Sequence, residues 1–410
     1  MLSILLKDLL HHRKKFFLAS FAIAWGTVSL ILFLAFGEGL KKRLFDTFET
    51  IGRGNIIVFG ISTSKPYKGL PVGRRIRFTF EDMEILRDRI PEIQYLSTLS
   101  SMGNRVISYS TSIANSQICG VDPAYQILGV QYPDGEGRFI NDFDVEQRRR
   151  VICLGYELKN QLFGSNNALE KTVFVDGVPF LVVGVIQKKT IGSRSSSPDA
   201  TNGYIPASTF SILYNQLFPQ RFYLRPYNFD DANLIKEQIK RIFSSKYQFD
   251  PTDRSALFIQ DFIEIENLSS KFFLGLQLFL GLIGSITLLL ASVGVASMMY
   301  VIIRQNMREI GIKMCLGAKK YTILLSFLME MLIIIFVGGM IGFPLSWLLI
   351  KVYTALPLEE LSIGSIGTPI ISWKIAILAI FILGFIGSIA GLFPAKKAAS
   401  MNPVDALRYE

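Results

Sequence analysis

Four stretches of this chain are too long and too apolar for a water-soluble fold of its size to bury. Residues 16–36, 272–303 and 375–393 carry no charge, and 321–350 carries only Glu330. An α-helix rises about 1.5 Å per residue and the hydrocarbon layer of a membrane is about 30 Å thick, so about 20 apolar residues cross it. Half of the 410 residues are hydrophobic, and the surplus over what a core absorbs must face lipid. The sequence therefore predicts an α-helical membrane protein with four transmembrane helices. His11-His12-Arg13-Lys14-Lys15 before the first stretch imitates the start of a secretion signal. However, the 21 residues that follow exceed a usual signal core, and no small-residue cleavage site comes after Phe36. The stretch reads as a retained anchor.

The net charge of +10 lies mostly in three short segments outside the spans. Residues 1–15, 304–320 and 394–410 carry +3, +4 and +1, whereas 351–372 sets Lys351 against Glu359 and Glu360. Positive-inside bias places both termini and the 304–320 loop in the cytoplasm, and the long segment between the first two spans outside it. Lys41-Lys42-Arg43 runs against this assignment, but large domains translocate largely regardless of such charge and the flank at 11–15 is stronger. Topology accounts for the charge, so nucleic-acid binding is not needed to explain it.

About 235 residues separate the first and second spans, enough for more than one compact unit. Residues 55–59 read as a strand. Thr79-Phe80-Glu81-Asp82 reads as a capping box opening a helix through Arg89, stopped by Pro91, and 94–99 resumes an extended pattern. That order predicts an extracytoplasmic α+β domain. From about 105 to 205 the chain changes to short β-rich runs, clearest at 151–154, 172–175, 180–186 and 204–205, with Asp176-Gly177 as a hairpin turn. This stretch is expected to form an inserted β-rich subdomain. The polar, Ser-rich 187–202 reads as a mobile loop, and helical pattern returns at 230–243 after a strand-like 221–224. Leu40, Leu44, Phe45 and Phe48 after the first span, and Phe258, Phe262, Ile265 and Leu268 before the second, recur at helical spacing and predict a helical stalk. The expected layout is a tail, first span and stalk over 1–54, the extracytoplasmic domain over 55–250, and a stalk with three spans over 251–410.

Little in this chain points to catalysis. Its only histidines are His11 and His12, in the tail, so the large domain has none for a His-based triad or zinc site. No G-x-S-x-G elbow and no G-x-x-x-x-G-K-[ST] phosphate loop occur. No acidic pair stands out for a carboxylate-pair hydrolase. Of the three cysteines, only Cys119 and Cys153 share a compartment in which to pair, and their apolar neighbours favour buried free thiols. Each cytoplasmic segment is too short for a folded output domain, so any inward or outward signal requires a docked partner.

The best docking candidate is 304–320, RQNMREIGIKMCLGAKK. Met307, Ile310 and Met314 fall on one helical face, while Arg308, Glu309 and Lys313 lie elsewhere, with Glu309 and Lys313 ordered for an i,i+4 pair. Gly317 fits a helix stop. A basic hairpin resting on anionic membrane lipid explains the same spacing. Within the spans, Glu330 is costly unless it faces protein or water: it reads either as a polar contact in the helix bundle or as a carboxylate reaching back toward Lys319 and Lys320. Gly338-x-x-x-Gly342 and Gly387-x-x-x-Gly391 offer faces for close helix packing, within the chain or across a dimer.

REIGIKMCLGAKKYTILLSFLMEMLIIIFVGGMIG (308–342) resembles the signature of MacB/FtsX-type ABC transporter permeases, and GLFPAKKAASMNPVDALRYE (391–410) resembles their C-terminus. GVDPAYQIL, GRFINDFD, RRRVICLGYELKNQLFG and VDGVPFLVVGVIQKK are similar to the MacB-type periplasmic core domain, and WGTVSLILFLAFGEGL is similar to the family's first span. Together these segments cover nearly the whole chain in the right order.

The resemblance implies four spans around a core domain at 55–250, a homodimer or a heterodimer with a related permease, and an ABC ATPase that binds ATP and Mg in place of any cofactor in this chain. It also implies a stand-alone permease, because the sequence begins directly before the first span. Arg308, Glu309, Gly311, Lys313, Leu316, Gly317 and Ala318 match the coupling-helix motif that docks on the ATPase, within a permease region at 251–410. Residence in the inner membrane follows, as do mechanical transmission to the core domain and export of a substrate with a periplasmic adaptor. The alternatives in the same family are a non-transporting regulator of envelope hydrolases and a lipoprotein-releasing permease.

Overall fold

The computed structural model describes residues 13–135, 137–189, 198–216, 218–305, 307–316, 318–355 and 368–399. The chain divides into two compact units, one holding the residues up to Arg43 and from Ser270 onward, the other Leu44–Ser269.

Helix α1, Arg13–Ile51, is the first element among the described residues and runs without a break. Gly52 ends it, donating its N–H to Phe48 O at 3.0 Å with a φ of +106° that a side chain rarely adopts. Strand β1 (Ile56–Gly60) follows, then α2 (Glu81–Arg89), β2 (Ile93–Tyr109), β3 (Ser112–Val121), α3 (Tyr125–Leu128), α4 (Asp142–Glu146), β4 (Val151–Leu154) and α5 (Tyr156–Phe163). Next come β5 (Thr172–Val175), β6 (Val178–Val185), β7 (Gly203–Pro206), α6 (Ala207–Leu213), β8 (Arg221–Pro226), α7 (Ala232–Tyr247) and β9 (Leu257–Asp261). Among the described residues four further helices follow: α8 (Phe262–Gln305), α9 (Met307–Cys315), α10 (Lys320–Ala355) and α11 (Trp373–Ala399).

In the 44–269 unit the nine strands among the described residues join one sheet in the order β3-β7-β4-β6-β5-β2-β8-β1-β9, and a further β3–β2 pairing closes six of them into a ring. β2 makes this possible by its length. Its first half pairs with β8 (Leu96 opposite Leu224), and its second half pairs with β5 (Ile107 opposite Val175). An irregularity between Met102 and Arg105 turns the strand from one partner to the other. Closure leaves the ring no edge to protect. Its interior is filled from alternate strand positions, with Ile107, Ile118, Ile152, Val173, Val175, Phe180 and Val182 buried together. The Asp176-Gly177 hairpin forms as expected, both residues at positive φ (48° and 83°).

The open arm of the sheet carries α2 and α7. Ile235, Ile239 and Phe243 recur every fourth residue on α7 and bury against Ile56, Val58, Phe222 and Leu224, with the Phe78 ring 4.9 Å from that of Phe222 and 5.1 Å from that of Phe243. The expected capping box at Thr79 is half formed. Asp82 accepts the Thr79 N–H at 2.7 Å, but the Thr79 hydroxyl accepts from Lys246 instead, and Asp82 is fully buried between Lys246 Nζ and the Tyr247 hydroxyl, both at 2.5 Å. A carboxylate so enclosed serves tertiary structure as much as the helix start.

The stalk reading is corrected at Phe258. This residue lies in β9, with Phe59 as its cross-strand partner, and α8 begins only at Phe262. Asp261 fixes that start by accepting the Ile263 and Glu264 N–H groups at 2.9 and 3.1 Å. Cys119 and Cys153 are both buried and free. Each is the cross-strand partner of Tyr204, so β7 stands between them. Two strand spacings of about 4.8 Å exceed the roughly 7 Å reach of a disulfide. Burial pushes both thiols up to about 12.

In the other unit, four helices among the described residues are long and apolar enough to cross a membrane: Phe16–Thr50, Phe262–Gln305, Lys320–Ala355 and Trp373–Lys397. The apolar window of α1 is 56% buried, against 22%, 28% and 28% for the others, so α1 is the axis on which the bundle packs. Ile23, Leu30 and Ile31 of α1 meet Leu288 and Val295 of α8, Met331 and Ile335 of α10, and Ala379 and Leu383 of α11 in one core.

Candidate coupling site

The short helix α9 sits between two long ones, and its sequence sets which face turns inward. Met307 and Ile310 are buried and Met314 is half-buried, the face expected from spacing. Ile310 packs with Ile303 at the end of α8 and Ile323 at the start of α10, joined by Ala318 and Phe327. Gly311 is buried on the same helix, whereas Ile312 and Leu316 are exposed, Leu316 at 83%. α8 runs to Gln305, so Arg304 belongs to it rather than to the short helix. Arg308, Glu309 and Lys313 lie in α9, and their side chains are outside the described part of the structure. Gly317, the expected helix stop, also lies outside the described residues; the helix ends at Cys315.

Glu330 lies on α10 and is buried. It borders a small cavity of about 10 Å³ with Phe16 and Ala19 of α1 and Val295 and Met299 of α8, whereas Lys319 and Lys320 are exposed. The carboxylate thus faces the first and second spanning helices, in a space at the lower limit for one water molecule.

The paired glycines fall within the chain's own packing. A β-carbon on Gly338 would lie 2.6 Å from Ile23 Cγ2, and one on Gly342 would lie 2.9 Å from Ala24 O, both on α1. Gly387 and Gly391 of α11 face α10: a β-carbon on the first would overlap Ile335 Cδ1, and one on the second would stand 3.3 Å from Met331. Gly284 of α8 packs on Leu30 in the same way, at 2.6 Å, a contact outside either G-x-x-x-G pair.

A polar clamp in the 44–269 unit escaped the sequence reading. Between α1 and β1, Asn55 donates to Leu128 O at 2.6 Å, accepts from Arg225 at 3.1 Å, and offers its backbone carbonyl to the Phe262 N–H at 3.0 Å. Arg53 pairs with Glu266 at 2.6 Å, and Lys236 bridges Asp261 and Glu264 at 2.7 and 3.1 Å. The end of α1 and the start of α8 are thereby tied to each other and to the sheet. Burial acts to lower the Lys236 pKa, and the two carboxylates outweigh it and hold it above its ordinary value. The readable signals were Asp261 ahead of a helical run and the Gly52-Arg53-Gly54 turn; the partners come from far along the chain. Among the described residues no group of three or more His, Cys, Asp or Glu side chains is placed to hold a metal ion.

Comparison with known proteins bears on what this arrangement serves. Residues 16–242 match the MacB-like periplasmic core domain and 281–403 match the FtsX-like permease C-terminal. The chain is 28% identical over 404 residues to the pyoverdine export ATP-binding/permease protein PvdT of Pseudomonas syringae pv. tomato, covering 95% of this chain and 56% of that one. It is 25% identical over 406 residues to the macrolide export ATP-binding/permease protein MacB of Bdellovibrio bacteriovorus, covering 96% and 59%. The chain thus spans less than two thirds of the length of these relatives. Among solved structures it is similar to the periplasmic region of MacB from Actinobacillus actinomycetemcomitans, with 18% identity, a TM-score of 0.43, and coverage of 54% of this chain and 95% of that one. It is also similar to the extracellular domain of the ABC-type transporter YknZ from Gram-positive bacteria, with 15% identity, a TM-score of 0.42, and coverage of 50% and 100%. With one match spanning more than half of its length and the second covering most of the remainder, the chain belongs to the MacB/FtsX-type family of ABC transporter permeases.

Proposed function

We propose that this chain is the permease subunit of an ABC transporter and works with a cytoplasmic ATPase that binds ATP and Mg, itself contributing no catalytic residue. Both termini and α9 lie on the cytoplasmic side of the inner membrane, and the core domain lies beyond it. Two copies, or one copy and a related permease, form the membrane part. Arg308, Glu309, Gly311, Lys313, Leu316, Gly317 and Ala318 form the docking element for the ATPase. Nucleotide-driven movement of α9 passes to α8 and α10 through Ile303, Ile310 and Ile323, and the unbroken α1 and α8 carry it outward. At about 1.5 Å per residue, 39 and 44 residues give helices of roughly 58 and 66 Å, about twice the hydrocarbon thickness.

The observation that carries this reading is α9 itself: a short helix with one face wedged between the ends of two spanning helices, and a large apolar side chain, Leu316, left exposed at its end. Ile312 is exposed as well, and four residues apart the two side chains offer a partner an apolar pair on a basic element. The relatives named as pyoverdine and macrolide exporters favour export of a substrate handled on the outer side, with a periplasmic adaptor, over regulation of envelope hydrolases or lipoprotein release. The test is co-purification of the ATPase with the Arg308→Glu/Lys313→Glu protein from native membrane. Loss of the ATPase with the permease still folded is expected, and undiminished co-purification rejects the docking role.

A further inference from the structure

Between α8 and α11 lies a groove of about 720 Å³ that the proposed coupling does not use. Leu289, Val293, Phe385, Ile389 and Phe393 line it and are 44–79% exposed. Its two serines have no hydroxyl hydrogen left to donate to an occupant, because Ser292 and Ser297 donate to Leu288 O and Val293 O, both at 2.9 Å. The volume falls in the range of small-molecule sites, about 300–1,000 Å³, and the walls call for hydrocarbon.

One end of the groove differs. Tyr300 lines it there, with Lys397 Nζ 4.7 Å and Arg304 Cζ 4.8 Å from its ring centroid, and Arg304 donates to the Tyr300 hydroxyl at 3.2 Å. Two cations are thus held at fixed positions on one aromatic ring, at the mouth of an apolar channel. From Leu289 to Tyr300 is eleven residues, or about 16 Å of helix. That is half of the roughly 30 Å hydrocarbon layer, the depth of a single leaflet.

We propose that this groove is a binding site for an anionic phospholipid, its acyl chain lying between α8 and α11 and its phosphate held by Arg304 and Lys397. Length and charge decide the occupant. A second copy of this chain is the competing one, but a two-fold contact across the groove brings the same cations toward each other at the same membrane depth, whereas a lipid phosphate brings the opposite charge. The ligand is one lipid of the leaflet on the Arg304 side, whichever side of the cell that is.

The test is native mass spectrometry of the full chain in detergent, titrated with dioleoyl-phosphatidylglycerol or with dioleoyl-phosphatidylcholine, which share their tails. The glycerol lipid is expected to be retained about thirtyfold more tightly, since each cation near an anionic surface contributes about 1 kcal/mol, roughly fivefold. Arg304→Gln/Lys397→Gln should bring the two lipids to parity, and the conservative Arg304→Lys/Lys397→Arg should keep the preference. Ala390→Phe, which fills the channel and leaves the cations in place, should release both lipids. Equal retention of the two lipids by the unaltered chain, or a preference that survives the double Gln change, overturns the proposal. So does an Ala390→Phe protein that turns from dimer to monomer while still holding phosphatidylglycerol.

Discussion

The two units of this molecule reach close packing by opposite routes. In the 44–269 unit, alternate strand positions and the Ile235, Ile239, Phe243 stripe of α7 bury large side chains, and carboxylates such as Asp82, Asp144 and Asp253 are buried with several donors each. In the helical unit, packing depends on what is missing: Gly284, Gly338, Gly342 and Gly387 bring backbone against Leu30, Ile23, Ala24 and Ile335. Water drives the first kind of core, because every buried apolar group leaves it. Lipid tails are as apolar as leucine, so the second kind rests on van der Waals fit and on the few polar groups placed inside. A side chain lost should therefore damage one unit, and a side chain gained the other.

The largest expected effect is in the sheet. Phe222→Ala removes a fully buried ring from between Phe78 and Phe243 and should destabilise the 44–269 unit by about 3–5 kcal/mol. Hydrogen exchange of the full chain in nanodiscs should show protection lost over β1, β8 and α7 and kept in the spans. Loss of protection in α10 as well would join units that the packing separates. In the helical unit the reverse change is the damaging one. Gly338→Leu forces a side chain into Ile23 and should cost about 1–3 kcal/mol, read by the same exchange experiment as opening confined to α1 and α10. Unaltered exchange there would sink the account of glycine contacts.

The smallest effect sharpens the comparison through pH. Burial acts to raise the Asp253 pKa, but the Ser64 hydroxyl and the N–H groups of Ser64, Ser255 and Lys65, at 2.7–3.1 Å, outweigh it and hold it at about 2, below the ordinary 3.8. A depressed carboxylate contributes stability that is complete above its unfolded pKa and is lost as pH falls toward the folded one. Thermal melts of the 44–269 transition should therefore decline between pH 4 and about 2, by about 1–2 kcal/mol after screening. Asp253→Asn should be less stable at neutral pH and should show a shallower decline; an identical pH profile in the two proteins would remove Asp253 from the balance. Asp144 works in the same direction. Burial raises its pKa, while the Arg138 guanidinium and the Asn141 N–H more than offset that and keep it below the carboxylate range.

Local patterns proved legible wherever the partner lay nearby in sequence. The Asp176-Gly177 turn and strands β4 and β5 follow from residues within the same short stretch, as does the buried face of α9 through Met307 and Ile310. Patterns failed where a distant segment chose between two local options. Phe258, Phe262, Ile265 and Leu268 repeat like a helix, yet β1 takes Phe258 as a strand partner and Asp261 caps the helix four residues later than the spacing implied. Nor did the sequence foretell that Tyr204 would stand between Cys119 and Cys153, or that Asn55, Arg225 and Asp261 would meet where α1 ends and α8 begins.

By itself the sequence determined the four spanning helices and the amphipathic helix between the second and third. Apolar length and periodicity are properties of a single segment, and no partner is required to express them. Only the tertiary structure decided that β2 serves two halves of one sheet and closes a ring, that the G-x-x-x-G faces are spent inside this chain, and that Arg304 and Lys397 converge on Tyr300. Each of those depends on residues tens to hundreds of positions apart arriving at the same place, and a one-dimensional pattern carries no record of that meeting.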